Sequence, residues 1–327
     1  MVQKIFNVVR IIITVGLCYY LIRKINLAAV LETFKTANLA LFIIGILGFL
    51  VFLLICNWRW KILLDSQNLN FSFRYLFKVY LVSWFFNNIL PTTIGGDVLR
   101  IAYTIPKNNP SFKSKTALAV AVTFVDRFVG IIGLFFFALV IYFGFLRGSD
   151  TESKYLAFLG ISFLVTILLL FIMLSEGIYL RIGQLLKKIT VFNLGAKFDQ
   201  AYEAIKNFRE FTPQLLISFI LSLFVQLSLA LVWYFCALSV FRPSLLLHYL
   251  FYIPIIGVIT MIPISIGGLG LRENLFVSIF SLKGVPSNIA GTISILFLVI
   301  NFLYGIIGGV VFLFLKRNVK NLKCKEE

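Results

Sequence analysis

Two short phrases place charged residues, adjacent glycines and a proline inside otherwise apolar sequence. PTTIGGDVLR occupies 91–100 and PISIGGLGLR occupies 263–272, and six of the ten positions are identical. Proline ends a helix because it lacks an N–H and clashes with the preceding turn. Glycine adopts backbone angles that are closed to other residues. The phrases therefore predict two broken or re-entrant helices, at 87–100 and 262–273.

The helices that restart after the breaks predict an anion-binding site. A helix start presents free N–H groups and the positive end of its dipole, and an arginine there adds forked donors for phosphate. The candidate headgroup-binding residues in the phrases are Arg100, Arg272, Gly95, Gly96, Gly267 and Gly268. Paired broken helices often mark a transporter's central site, so we expect both phrases to line one cavity. The alternative is two unrelated interhelical loops with snorkelling arginines.

Adjacent opposite charges occur inside a third apolar stretch, at Asp126 and Arg127. If the span begins about ten residues earlier, Asp126 lies near mid-membrane, where charges are expensive and usually functional. If 128–146 spans alone, the two residues are interfacial. In the first case Asp126 pairs with Arg100 or Arg272 and leaves Arg127 for a ligand.

Other polar residues in the phrases are candidates for charge balance or gating. Asp97 either caps the restarted helix or pairs with Arg100. Glu273 follows the second arginine and is placed to balance or gate it. Asn87 and Asn88 either bind a headgroup or cap freed carbonyl groups.

The composition predicts an all-α polytopic integral membrane protein. The 327 residues are 60% hydrophobic and 13% charged, against about 25% charged in soluble domains. We expect one membrane domain over 1–327, with an internal repeat marked by the phrases, and an amphipathic surface segment at 176–213. A span needs about 20 apolar residues, and we expect about eight spans, of which the third is short and broken: 5–22, 39–56, 76–90, 116–146, 155–174, 214–240, 245–262 and 289–315.

Basic residues predict the orientation and the partners. The net charge is +17, and the tail at 316–325 is strongly basic, which favours a cytoplasmic C-terminus and contact with anionic lipids. The run Trp58-Arg59-Trp60-Lys61 is typical of a membrane-interface belt. We expect no nucleic-acid partner, because no recognition fold or basic-aromatic platform is visible.

Motifs for catalysis or metal binding are missing from the sequence. Gly95-Gly96 lacks the Lys-Ser/Thr of a phosphate-binding loop, and no Gly-x-Ser-x-Gly phrase occurs. His248 is expected to be a packed or interfacial residue. The cysteines lack metal-ligand spacing and are Cys18, Cys56, Cys236 and Cys324. We therefore expect a protein that is not an enzyme and has no cofactor or metal.

These motifs resemble a known family. NNILPTTIGGDVLR at 87–100 with ALAVAVTFVDRFVG at 117–130, and IPISIGGLGLRE at 262–273, are similar to phrases in the membrane domain of the lysylphosphatidylglycerol synthase/flippase family. The resemblance implies a bacterial inner-membrane or archaeal membrane protein that moves a lipid between leaflets. It also implies that the family's aminoacyl-transferase activity is missing, because the chain stops soon after the last span.

The sequence thus favours a flippase or transporter for an anionic phospholipid or polyprenyl-phosphate-linked lipid. With no nucleotide site visible, an ion or proton gradient would drive it, or transport would be passive. One alternative is a membrane transferase that uses Asp97 or Asp126 as base or metal ligand. Another is a non-transporting scaffold subunit of an envelope or glycosylation complex.

Overall fold

The fold is all-α throughout the described part of the chain. The computed structural model describes residues 12–21, 32–33, 35–90, 95–105, 112–147, 150–174, 211–241, 245–262 and 264–315. The helices are α1 (Ile12–Leu21), α2 (Leu39–Ser66), α3 (Phe73–Ile89), α4 (Gly95–Thr104), α5 (Phe112–Ile141), α6 (Asp150–Leu174), α7 (Thr212–Val240), α8 (Leu246–Met261), α9 (Leu271–Ser281) and α10 (Ser287–Phe314). A π-helical segment, Tyr142–Leu146, extends α5.

Each of the eight predicted spans contains a helix. Four helical stretches are long and apolar enough to cross a membrane by length and composition: α2, residues Leu118–Leu146, α7 and α10. The helices α1, α6 and α8 contain shorter apolar stretches. The predicted surface segment at 176–213 lies outside the described residues, except for its end, where α7 begins at Thr212.

The end of α2 corrects the interface-belt prediction. The helix continues to Ser66, ten residues beyond the predicted end, and buries Arg59 and Trp60. Arg59 lies three residues after Cys56 and four before Leu63, so it shares the buried face of the helix with them.

Short polar side chains begin two of the helices. The Asn38 side chain accepts a hydrogen bond from the Leu41 N–H at 3.2 Å at the start of α2. The Ser72 hydroxyl accepts one from the Tyr75 N–H at 3.4 Å at the start of α3. Each cap satisfies a donor that has no partner inside the helix.

The core forms where α2 packs against α7, α3 against α10, and α5 against both α7 and α8. Trp233 of α7 lies at its centre, with its ring stacked on Phe276 at 4.4 Å and on Phe297 at 4.2 Å. These stacked rings tie α7 to α9 and α10, on the side of the bundle that carries the second phrase.

Two runs of four helices have matching lengths. The helices α2 to α5 have 28, 17, 10 and 30 residues, and α7 to α10 have 29, 16, 11 and 28. The packing partners also correspond, because α3 packs on α10 and α8 packs on α5. The lengths and the packing partners therefore correspond between the two runs, while the predicted internal repeat stays a prediction.

Glycines let α10 approach α3 closely. A Cβ atom added at Gly308 would overlap the Leu81 carbonyl oxygen, and one at Gly309 would lie 2.9 Å from the Phe85 ring. Small residues at membrane helix interfaces permit close backbone contact of this kind.

We predict that Gly308→Ala destabilises the protein by about 1–3 kcal/mol, because the added methyl group must push α10 away from Leu81. Gly160→Ala in α6 is the matched control, since its added Cβ would meet no described atom within 4 Å beyond the adjacent backbone of its own helix. Thermal unfolding of the purified variants in detergent measures both changes. A Gly308→Ala protein as stable as the Gly160→Ala protein would contradict the close α3–α10 packing.

Candidate functional site

A buried carboxylate shared by two arginines forms the centre of the site. Asp126 of α5 is 1% exposed. Its Oδ1 accepts a hydrogen bond from Arg59 Nε and its Oδ2 accepts one from Arg100 Nη2, each at 2.8 Å. Asp126 is thus buried inside the helical bundle, and of the two arginines predicted as its partner it contacts Arg100.

Arg59 is a member of the site that the sequence did not reveal. Its Nη1 donates to the Ser222 hydroxyl of α7 at 2.9 Å, in addition to the Asp126 contact. Arg59 shares a face of α2 with Cys56 and Leu63, which indicates burial. The neighbouring tryptophans instead favoured the interpretation as a membrane-interface residue. The residue therefore links α2 to both α5 and α7.

A second carboxylate joins the site from the first turn of α4. Oδ2 of Asp97 accepts hydrogen bonds from Arg127 Nε at 2.9 Å and lies 2.8 Å from Arg127 Nη2. Its Oδ1 lies farther from Arg100 Nη1, at 3.4 Å. The Arg127 side chain is 43% exposed, so this pair lies at the mouth of the site.

Aromatic rings hold Arg100 in place. Its guanidinium carbon lies 4.3 Å from the centre of the Trp60 ring and 5.1 Å from that of Tyr80, distances at which a cation is attracted to a ring face. Arg100 is buried, and its Nε finds no hydrogen-bond acceptor among the described residues. The ring contacts and the Asp126 ion pair therefore fix the Arg100 guanidinium at the cavity.

These residues enclose a polar cavity of about 90 Å³. A water molecule needs roughly 10–15 Å³ in this measure, so the space suits a group the size of a phosphate. The cavity is lined by Arg59, Tyr80, Ser83, Trp84, Asn87, Asp97, Arg100, Asp126 and Arg127. Three arginines and two aspartates give the lining a formal charge of +1.

From Gly95 onward, the first phrase folds differently from the prediction. Gly95 and Gly96 begin α4 without positive φ, so they are not the break itself. A Cβ at Gly96 would overlap the Ser83 carbonyl oxygen, which makes close approach to α3 the reason for this glycine. Its N–H donates to Asn87 Oδ1 at 3.0 Å, so Asn87 caps a freed N–H rather than a carbonyl.

The second phrase contains the predicted break. Gly267, Gly268 and Gly270 have φ values of 58°, 75° and 75°, a region that side-chain-bearing residues rarely adopt. The Gly270 N–H donates to Glu273 Oε2 at 2.8 Å, and α9 then begins. Arg272 donates to Glu273 Oε1 from Nε at 3.0 Å and from Nη2 at 2.8 Å.

Comparison with known proteins identifies the family. The family model described as the lysylphosphatidylglycerol synthase TM region matches residues 7–309. The chain belongs to this family. It is also similar to UPF0104 membrane protein MJ1595 of Methanocaldococcus jannaschii, with 23% identity over 287 residues that cover 82% of each chain.

The structure brings together only part of the predicted family site. Five predicted residues line the cavity: Asn87, Asp97, Arg100, Asp126 and Arg127. The second-phrase residues Arg272, Glu273, Gly267 and Gly268 are not among the described residues that line this cavity, so one cavity that unites both arginines stays a prediction. The phrases are still neighbours, since a Cβ at Gly267 would lie 3.2 Å from the Asn87 carbonyl oxygen.

Asn88 and Arg272 have partners outside the cavity. Asn88 exchanges hydrogen bonds with the Asn301 side chain of α10 at 3.3 and 3.5 Å. The Arg272 guanidinium lies 4.8 Å from the centre of the Phe297 ring. Both residues therefore contribute to helix packing around the second phrase.

A separate buried carboxylate was also missed from the sequence. Glu152 of α6 lies 2.5 Å from Lys283 Nζ and accepts a hydrogen bond from the Tyr252 hydroxyl at 3.0 Å. His248 Nε2 lies 3.8 Å from the same carboxylate, so this histidine has an acidic neighbour that sequence spacing could not reveal. The cluster joins α6, α8 and the turn after α9.

We predict that Asp126→Asn lowers the free energy of unfolding by about 3–5 kcal/mol, because it leaves two buried guanidinium groups without their shared anion. Asp65→Asn makes the same chemical change in the half-exposed Lys61–Asp65 pair, where the expected loss is below about 1 kcal/mol. Unfolding of both variants in detergent gives the comparison. Equal losses would show that the Asp126 pairs are not the structural centre described above.

Proposed function

We propose that the protein moves an anionic lipid between the leaflets of a membrane, with the headgroup phosphate entering the cavity beside Arg100 and Arg127. The observation that carries this proposal is a polar cavity of net positive charge inside an apolar helical bundle. A charged headgroup crosses hydrocarbon only at great cost, and this cavity supplies the donors that would replace its water.

The surroundings of the cavity suit a ligand with apolar chains. Val98, next to Asp97, and Ile89, at the end of α3, are both 56% exposed. Such apolar surface beside a charged mouth fits a lipid whose phosphate enters the protein while its acyl chains stay in the bilayer.

A membrane transferase that acts on a lipid headgroup is the second candidate. Asp97 and Asp126 line the same cavity, which meets the requirement for two convergent carboxylates. Each of them is an ion-pair partner of arginines, however, and the described residues hold no group of three or more metal-ligating side chains. The arrangement favours anion binding over metal-assisted transfer, and over a scaffold subunit that would need no such cavity.

We also propose that the protein resides in the cell membrane with its C-terminus in the cytoplasm. The basic tail at 316–325 supports this orientation. A gradient of protons or other ions, or passive exchange, would then account for movement of the lipid.

We expect purified protein in liposomes to exchange fluorescent phosphatidylglycerol between leaflets faster than phosphatidylcholine. Arg127→Gln should slow the exchange at least about tenfold, because it removes charge-assisted hydrogen bonds to the phosphate. Arg74→Gln, which removes a charge from an exposed position of α3, should exchange like the wild type. A membrane-impermeant quencher of the fluorescent headgroup reports the rate.

The control outcomes separate the candidate functions. Exchange by folded wild-type protein no faster than in protein-free liposomes, with and without a proton gradient, would overturn the transport proposal. Exchange that is equally fast in Arg127→Gln would leave transport in place but remove the cavity from its pathway.

A further inference from the structure

Asp97 occupies the donors that an incoming anion would use. Nε and Nη2 of Arg127 both face Asp97 Oδ2, at 2.9 and 2.8 Å. This forked geometry is the one by which arginine recognises carboxylate and phosphate groups alike. The cavity therefore already contains an anion, supplied by the chain itself.

We propose that the Asp97 carboxylate holds the place of the headgroup phosphate in the empty site, and that a singly charged phosphate group binds by replacing Asp97 on Arg127. This inference rests on the proposed function. It adds the class of ligand and the carboxylate that the ligand replaces on Arg127. The ligand is a phosphodiester, as in a phospholipid with one negative charge.

Charge and size select this class. Asp97 carries one negative charge beside Arg127, so a singly charged phosphate that replaces it leaves the total charge around Arg127 unchanged. The cavity volume of about 90 Å³ is well above the minimum of roughly 10–15 Å³ that one water molecule needs. A phosphate group with its ester oxygens fits within that volume, and the remainder of a lipid headgroup must lie at the mouth.

The exchange leaves the centre of the site in place. Arg100 keeps its 2.8 Å contact with Asp126 and its place against Trp60 when Asp97 moves away, and it loses only the longer 3.4 Å contact with Asp97. Asp97 gives up Arg127 but stays in the first turn of the ten-residue helix α4, where the helix dipole favours a negative charge. Arg127, which is 43% exposed, changes its partner.

Asp97 contacts two guanidinium groups, Arg100 through Oδ1 at 3.4 Å and Arg127 through Oδ2 at 2.9 Å. Both groups lose this carboxylate when Asp97 leaves. A phosphate oxygen pair could then contact the buried guanidinium of Arg100 and the exposed one of Arg127.

The test measures binding by the full-length protein in detergent micelles, with short-chain phosphatidylglycerol as the probe. Asp97→Asn should bind it at least about tenfold more tightly than the wild type, because the internal competitor for Arg127 has lost its charge. Arg127→Gln should bind it at least about tenfold more weakly. In the double variant Asp97→Asn/Arg127→Gln, the gain from Asp97→Asn should disappear, since that gain acts through Arg127.

Inorganic phosphate and short-chain phosphatidylcholine complete the experiment. Phosphatidylglycerol binding that exceeds that of inorganic phosphate supports a lipid phosphodiester. Binding that also exceeds that of phosphatidylcholine, which joins the same phosphodiester to a cationic choline, supports a headgroup of net negative charge. Equal binding of inorganic phosphate and phosphatidylglycerol would overturn the assignment to a lipid. Asp97→Ser, which also removes the charge, replaces Asp97→Asn if the latter does not fold, as judged by thermal unfolding.

Unchanged or weaker binding in a folded Asp97 variant would overturn the inference, because Asp97 would then support the site rather than compete for it. This outcome differs from failure of the proposed function. Tighter binding by Asp97→Asn without leaflet exchange by the wild type would support the inference and overturn transport.

Discussion

The rest of the structure depends on keeping the Asp126 carboxylate paired inside an apolar bundle. A carboxylate buried among membrane helices is tolerated only when cations and hydrogen-bond donors surround it. Arg59 reaches it from α2 and Arg100 from α4, and Arg59 also reaches Ser222 of α7. Three elements are therefore fixed around α5 by one anion. Because apolar contacts alone specify helix position only loosely in a membrane, these directional pairs define where the cavity lies.

The two runs of four helices share an architecture but not a charge pattern. When the phrases are aligned, Arg272 corresponds to Arg100, while Leu298 occupies the position that corresponds to Asp126. With no acid available on the following long helix, Arg272 pairs with its own neighbour Glu273 and lies over Phe297. Arg272 and Glu273 of the second phrase thus pair with each other, and the glycines with positive φ form the turn that precedes them. One half of the protein holds a polar cavity, and the other half holds a packed core of aromatic rings.

Apolar runs in the sequence predicted a helix at each of the eight expected spans, since hydrocarbon permits few other structures for such runs. The short-range contacts within phrases, such as Asp97 with Arg100 and Glu273 with Arg272, also follow from spacing. Contacts between distant segments do not. Arg59 was assigned to an interface because tryptophans flank it, and only the continuation of α2 to Ser66 brings it to Asp126. Sequence spacing likewise could not bring Glu152 and Lys283 together, 131 residues apart.

A site that moves a ligand must release it as well as bind it. Three arginines in a small cavity with one counter-ion would hold a phosphate tightly and would also repel one another when empty. In the proposed exchange Asp97 changes both properties, because it pairs with Arg127 before the ligand binds and then competes with the ligand for Arg127. Asp97 lies in the first turn of α4, so this competing charge is on a short helix rather than on a long span. A ligand can both enter and leave a site when its binding is favourable but not strong. The exchange of one anion for another at Arg127 meets that condition without exposing a bare charge to the bilayer.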